Sequence, residues 1–193
     1  MNITLIKKTT TSGLDVYIRP EKINEYEEIN HLIYMAFSGS YGIKVGTDIV
    51  KRFNEERGKD TFIPELSLVA LLEKGKIVGQ VALYKTDIIT ESGSNTQLVL
   101  SQSAVLHEYK MRGIMREMVT FALGKAKELG YVAVFLGGPA NLYGKFGFEP
   151  SYKYGIHHEK SKEVEGYEEG YMVCVLVPSA LDGITGTTSY FGG

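Results

Sequence analysis

The stretch from Gln97 to Gly138 constrains the fold more than any other part of this chain. "QLVLSQSAVL" is an apolar run that reads as a strand. From Ile114 onward, Met118, Ala122, Ala126 and Leu129 recur three or four residues apart until Gly130, which predicts one apolar helical face ended by a glycine stop. "YVAVFLGG" is a second strand, with few polar breaks, as expected of a strand covered on both faces. A strand–helix–strand order of this length predicts a parallel pair joined by a right-handed crossover.

The flanking segments predict antiparallel additions. "ITLIKK" and "LDVYIRP" surround "TTTSG", a first hairpin. After Pro20, the spacing of Ile23, Tyr26, Ile29, Ile33 and Phe37 predicts an amphipathic helix. "FSGSYGIKVG" reads as a glycine-rich loop, and "TDIVKRFNEERG" as a second helix capped by Thr47 and stopped at Gly58. "LSLVALLEKGKIVGQVALYK" is two strands around "EKGK", and "TDIITESGSNT" is a polar connection. "PANLYGKF" is a short helix with Pro139 in its first turn, "KSKEVEGYEEG" a charged loop, and "GYMVCVLV" a last strand. With 193 residues and no repeat or linker, the expectation is one α/β (α+β) domain, residues 1–193, with a mixed sheet and helices on its faces.

Composition narrows the function classes. A net charge of -2 gives no polybasic character, so no nucleic-acid partner is expected. The single cysteine, Cys174, excludes an intrachain disulfide framework, and its place in "YMVCVLV" reads as a buried, inert thiol. The N-terminus lacks a signal-peptide pattern and no segment is long and apolar enough to span a bilayer, so a cytoplasmic protein without a membrane partner is expected. Self-association is left open.

"HEYKMRGIMREM" stands where the strand hands over to the helix. The first amides of a helix lack intrahelical partners and its dipole adds partial positive charge, so such an end takes phosphate readily. Gly113 lets backbone approach a ligand, and Lys110, Arg112 and Arg116 add full charges. Cations at a helix N-terminus cost ~0.3–1 kcal/mol each. Three around one glycine therefore suit a bound anion: a pyrophosphate receiving the main-chain N–H groups of Arg112, Gly113, Ile114 and Met115. Two other phosphate motifs do not fit. "GPANLYGKF" has five residues between its glycines and Phe146 after the lysine, and Gly113 stands without the other glycines of a dinucleotide fingerprint.

"SAVLHEYKMRGIMREMVTFALGKAKELGY" followed by "GGPANLYGKFGFEPS" resembles the GNAT superfamily of N-acetyltransferases. In its coenzyme A signature, Q/R-x-x-G-x-G/A, this chain has Lys110, Met111, Arg112, Gly113, Ile114 and Met115. The lysine keeps a cation and Met115 departs from the pattern. "RGIMRE" is similar to the version in Eis-type acetyltransferases, and the C-terminal tail to short bacterial members. The resemblance implies a GNAT-like, mostly antiparallel sheet, with acetyl-CoA as the cofactor. It also implies direct acetyl transfer to a primary amine of a small molecule or protein; the alternative is a non-catalytic CoA-binding protein of the same fold. Main-chain donors for the oxyanion would come from Ala104 and Val105, a contribution of ~2.7–4 kcal/mol per donor, and the same strand would pair with the pantetheine arm. The polar break "SQS" is consistent with a strand leaving its neighbour there, or with a bulge or an exposed edge. Tyr143 matches the usual proton donor to the departing thiolate; a phenol of pKa ~10 gives its proton to a thiolate of pKa ~8.5 only slightly uphill. Asn141 would contact the cofactor or cap the short helix.

No residue is assigned as the base. Glu65, Glu91 and Glu149 read as loop carboxylates, and Gly193 enters through the C-terminal carboxylate of Eis-type enzymes; a water relay serves equally well. In "GIHHEK", His157 and Glu159 share a strand face with His158 opposite, and two ligands fall short of a catalytic zinc site. Tyr152, Tyr154 and Tyr167 would line an acceptor pocket or cover the sheet.

Overall fold

The computed structural model describes residues 5–162 and 165–189. Its strands are β1 (Ile6–Thr9), β2 (Asp15–Pro20), β3 (Phe62–Leu71), β4 (Ile77–Thr90), β5 (Gly93–Val105), β6 (Ala133–Gly137), β7 (Glu149–Pro150), β8 (Ile156–His158), β9 (Tyr171–Val175) and β10 (Gly186–Thr188). Its helices are α1 (Tyr26–Tyr41), α2 (Ile43–Glu56), α3 (Ile114–Glu128), α4 (Ala140–Tyr143) and α5 (Tyr167–Gly170). The chain divides into two compact units, Met1–Ala82 with Gln102–Ala122, and Leu83–Ser101 with Leu123–Gly193.

In the first unit the strands follow the order β1-β2-β3-β4-β5. The β1–β2 hairpin sets Ile6 against Ile18 and Thr9 against Asp15, and β2 pairs antiparallel with β3 from Tyr17–Leu71 to Pro20–Leu68. Val16 and Ile18 are fully buried at alternate positions of β2, and Leu68, Val69 and Ala70 are buried consecutively in β3, as in a strand covered on both faces. Helix α1 contributes Ile29, Leu32 and Ile33 to the core, and α2 contributes Ile49 and Phe53. Arg57, at the end of α2, donates twice to Glu21 and lies over the rings of Tyr26 and Phe53, locking α2 to the chain after β2.

The first helical region departs from expectation. "FSGSYGIKVG" is helical apart from Gly42, which has φ 95°. Ser38 and Ser40 satisfy their hydroxyls on the carbonyls of Tyr34 and Ala36, so neither ends α1. Thr47 does the same to Ile43 inside α2 and is not its cap. Gly46 allows α2 to approach α1, because a Cβ there would lie 2.9 Å from Ser38 Cβ. "TDIITESGSNT" is likewise not a connection: β4 runs to Thr90 and β5 begins at Gly93.

In the second unit β5 pairs with β6 in parallel, β6 with β9 and β9 with β7 in antiparallel. The parallel pair falls at Leu98–Val134 and Val99–Phe135, where the strand–helix–strand pattern requires it. Ala133 to Leu136 are buried throughout. Gln97 fixes the entry of β6, its Oε1 accepting from the N–H groups of Val132 and Ala133. The C-terminal β10 pairs antiparallel with β4 at Ile88 and Ile89 and parallel with β8.

Candidate functional site

The turn into α3 is built from three segments of the first unit. His107–Tyr109 forms a single 3₁₀ turn that leads to Lys110. Met111 then takes φ 61° and Gly113 φ 85°, two left-handed residues within three. Met111 is fully exposed, which is unusual for a large apolar side chain in a sparsely populated conformation. Ile114, by contrast, is buried and starts the apolar face of α3. Its Cγ2 and the Sδ of Met118 occupy the space above Gly79 where a side chain would stand.

The main-chain N–H groups of Met111, Arg112, Gly113, Ile114 and Met115 have no acceptor among the described residues. Five consecutive donors without a described acceptor thus stand at the positive end of a 15-residue helix. Charge is left uncompensated in the same place. Glu108, the acidic residue of the preceding turn, is committed to Lys76 at 2.8 Å. Lys110 and Arg112 are exposed and have no carboxylate partner among the described residues. The Arg112 guanidinium lies 5.6 Å from the centroid of the Tyr109 ring, which Lys76 also approaches, at 5.0 Å. An aromatic ring holds a cation without neutralising it. Arg116 is exposed one turn further along. This donor set suits a diphosphate, in charge and in hydrogen-bonding sense.

Gly113 has a different structural reason from the one its position suggests. A Cβ there would lie 2.8 Å from Thr11 Oγ1 and 3.3 Å from Thr10 Cβ. Its missing side chain admits the turn of the β1–β2 hairpin, and its N–H is left free.

The strand leading to this turn carries a break in register. The tip of the β4–β5 turn is Glu91 and Ser92, and Thr96 donates to Asp87 across the ladder. An unbroken ladder from there would set Leu106 against Ile77, but the Leu106 N–H donates to Val78. One extra residue therefore lies in β5 between Thr96 and Leu106, a β-bulge, in the stretch that holds the "SQS" break. Ala104 turns its carbonyl toward Gly79 of β4, as Leu106 turns its N–H toward Val78. By strand alternation Val105, between them, turns its N–H and carbonyl to the edge away from β4. Parallel pairing with β6 stops at Val99. Of the two residues proposed from sequence, Val105 thus has its main-chain groups on the edge away from β4 and Ala104 has its carbonyl toward β4.

Tyr143 lies in the second unit, at the end of α4. It is 9% exposed, packed between Phe146 and Phe148 with ring centroids 6.3 and 6.0 Å away. A side chain at Gly138 would collide with its ring, so "GGP" is the seat of this tyrosine. Asn141 is exposed on the same short helix, whose N-cap is Pro139, so it does not cap it.

The remaining candidates disperse. Glu65 is exposed on β3 and Glu91 at the β4–β5 turn. Glu149 accepts from Tyr154 and Lys153, which hold its carboxyl below the usual range, while Tyr154 is pushed up to about 12 by that same carboxylate and by burial. Gly193 lies outside the described residues. His157 is exposed and paired with Glu168 at 2.6 Å. His158 is buried between Tyr167 and Tyr171, its Nδ1 accepting from the Lys160 N–H. Tyr167 therefore covers buried sheet, and Tyr152 is exposed. Burial raises the pKa of Cys174, whose thiol points at the Phe146 carbonyl 3.9 Å away. Among the described residues no group of three or more His, Cys, Asp or Glu side chains could hold a metal ion, and no helix is long and apolar enough to cross a membrane.

Comparison with known proteins gives this geometry a lineage. The YhbS protein of Escherichia coli, an uncharacterized N-acetyltransferase, is 34% identical over 126 residues, 65% of this chain and 71% of its own. Its crystal structure in complex with CoA superimposes with a TM-score of 0.76 at 25% identity, covering 99% of this chain and 93% of that one. A GNAT family acetyltransferase from Brucella melitensis, in complex with acetyl-CoA, gives a TM-score of 0.67 at 21% identity over 91% of this chain and 96% of that one, a likeness of fold. Eis1 from Mycobacterium abscessus gives 0.53 at 18% identity, over 70% of this chain and 31% of that one. The sequence model of the acetyltransferase (GNAT) domain matches residues 17–151. That span includes β3–β6, the turn into α3 and Tyr143, and the chain belongs to the GNAT acetyltransferase family.

Proposed function

We propose that this protein is an acetyl-CoA-dependent N-acetyltransferase that passes the acetyl group directly to a primary amine of a small molecule or protein. The observation that carries the reading is the run of five N–H groups from Met111 to Met115 that have no acceptor among the described residues, beside Lys110 and Arg112, which have no carboxylate partner among them. They would hold the diphosphate of CoA, with Arg116 one turn on. When bound, acetyl-CoA supplies an activated acyl group as its thioester.

The chain's own part is to bind, align and exchange protons. Val105 offers a main-chain donor and acceptor on the edge of β5 away from β4, where an extended pantetheine arm would add like a strand. An N–H on that edge stabilises negative charge on the acyl oxygen, a contribution of about 2.7–4 kcal/mol. We assign the departing thiolate's proton to the Tyr143 hydroxyl. The Gly138, Phe146 and Phe148 packing fixes that ring.

The test has two stages. Calorimetry should show CoA binding, and acetyl-CoA offered a panel of primary amines should release free thiol. Binding without thiol release from any amine would make the protein a CoA holder, and no binding would refute the reading. Tyr143→Phe should slow release by ~10²-fold or more; an unchanged rate across pH would remove the proton-donor role.

A further inference from the structure

The turn into α3 does not stand alone. We propose that the β1–β2 turn, Thr10 to Ser12, is a positioning element for the cofactor-binding turn, with Ser12 aiming the Gly113 N–H at the diphosphate. This inference rests on the reading of residues 111–115 given above. Residues 10–12 precede the stretch matched by the family model, which begins at residue 17.

The argument starts from proton counting. Ser12 Oγ donates to the Arg112 carbonyl at 2.9 Å, across 100 residues of sequence. A serine has one hydroxyl proton, so the 3.1 Å contact between Ser12 Oγ and Thr10 Oγ1 must run from Thr10 to Ser12. Thr10 in turn accepts from the Leu14 N–H at 3.1 Å. The direction of the whole chain is fixed: Leu14 N–H to Thr10, Thr10 to Ser12, Ser12 to Arg112. Each bond polarises the next. Thr10 is 4% exposed, so the relay is anchored in the core of the hairpin.

The consequence lies at the next atom. The peptide between Arg112 and Gly113 is planar and trans, as no cis bond occurs among the described residues. Its C=O and N–H point in opposite directions. With the carbonyl tethered to Ser12, the Gly113 N–H is directed away from the hairpin. Thr11 and Thr10 close the other side, in the space where a Gly113 Cβ would stand. Nothing in this contact set consumes a donor of the 111–115 run. The hairpin therefore fixes the turn through the Arg112 carbonyl and the missing side chain of Gly113, and leaves the N–H groups for an anion. A left-handed Met111, a conformation that costs a non-glycine residue, would otherwise relax toward commoner backbone angles.

The experiment measures CoA affinity by calorimetry for the full chain, Ser12→Ala, Ser12→Thr and Arg112→Gln. Pantetheine, which lacks the diphosphate, is titrated in parallel by ligand-observed NMR. Ser12→Ala should bind CoA about 3- to 10-fold more weakly, the range one neutral hydrogen bond commands. Ser12→Thr should restore binding, and pantetheine affinity should not change. Equal losses for CoA and pantetheine would overturn the inference, since they would mark general loosening. Wild-type CoA affinity in Ser12→Ala with a loss in Arg112→Gln would overturn it too, while leaving the cofactor turn standing. If neither variant weakens CoA binding, the reading of the turn falls, and this inference with it. Should the alanine variant not fold, Ser12→Cys, a weak donor of similar size, serves the same comparison.

Discussion

Single residues in this protein divide between holding the chain and leaving something exposed for a ligand, and Tyr109 does both. Its ring keeps the Arg112 guanidinium in place without cancelling its charge. Tyr109→Ala should weaken CoA binding by roughly 2- to 5-fold, the worth of an exposed cation–π contact, and Tyr109→Phe should not; titration at low and high salt reads both. Glu25 shows the purely structural case. Burial opposes its ionisation, but the Arg19 guanidinium and the Lys22 N–H outweigh it and hold its pKa below the usual 4.5. The pair is largely buried, with side-chain exposures of 8% for Arg19 and 14% for Glu25. A depressed folded-state pKa means its stabilisation is complete above the unfolded-state value and is lost as pH falls through the folded-state one. Glu25→Gln should therefore cost about 1.5–3 kcal/mol at pH 7. Its denaturation midpoint should converge on that of the parent chain well below pH 4.5.

Secondary-structure elements meet at glycines, and Gly46 is the clearest example. In an isolated helix, alanine would be better by ~1 kcal/mol. Here a Cβ at position 46 would stand 2.9 Å from Ser38 Cβ and 3.1 Å from the Tyr34 carbonyl of α1. Gly46→Ala should be destabilising by about 1–3 kcal/mol despite its better propensity, and Ser38→Gly in the same chain should recover part of the loss in urea denaturation. The same physics decided what the sequence disclosed. Regular apolar spacing made α1 and α3 legible, and continuous β-rich runs made β3 to β6 and β9 legible. The Phe37–Gly46 stretch misled because its serines turn inward onto helix carbonyls, which composition alone cannot distinguish from a loop. Strand β10 was invisible for a different reason. It is three residues long, and Gly186 is needed because a side chain there would strike the Ile89 carbonyl. Such a contact is set by tertiary packing and leaves no periodic trace. In the candidate site, the cations and Gly113 were legible from local sequence, whereas the bulge in β5 and the partnership of Ser12 with Arg112 were not.

At the scale of the whole molecule, the cofactor reading becomes a statement about stability. A ligand that binds only the folded chain stabilises it by mass action, by ~2.7 kcal/mol when its free concentration is 100 times its Kd. For a chain of 193 residues each kcal/mol moves the melting temperature by about 2–4 °C. CoA at that concentration should therefore raise Tm by roughly 5–11 °C in differential scanning fluorimetry. The shift should grow logarithmically with further CoA rather than saturate. Arg112→Gln, compared at the same CoA concentration, should show a smaller shift while its ligand-free Tm stays close to that of the parent, because Arg112 is exposed and bears no ion pair among the described residues. The combination is diagnostic. A lowered ligand-free Tm with an undiminished shift would mean that Arg112 serves the fold and not the cofactor. The contrary pattern would place its guanidinium where an uncompensated charge is most useful, at the phosphate end of a bound CoA.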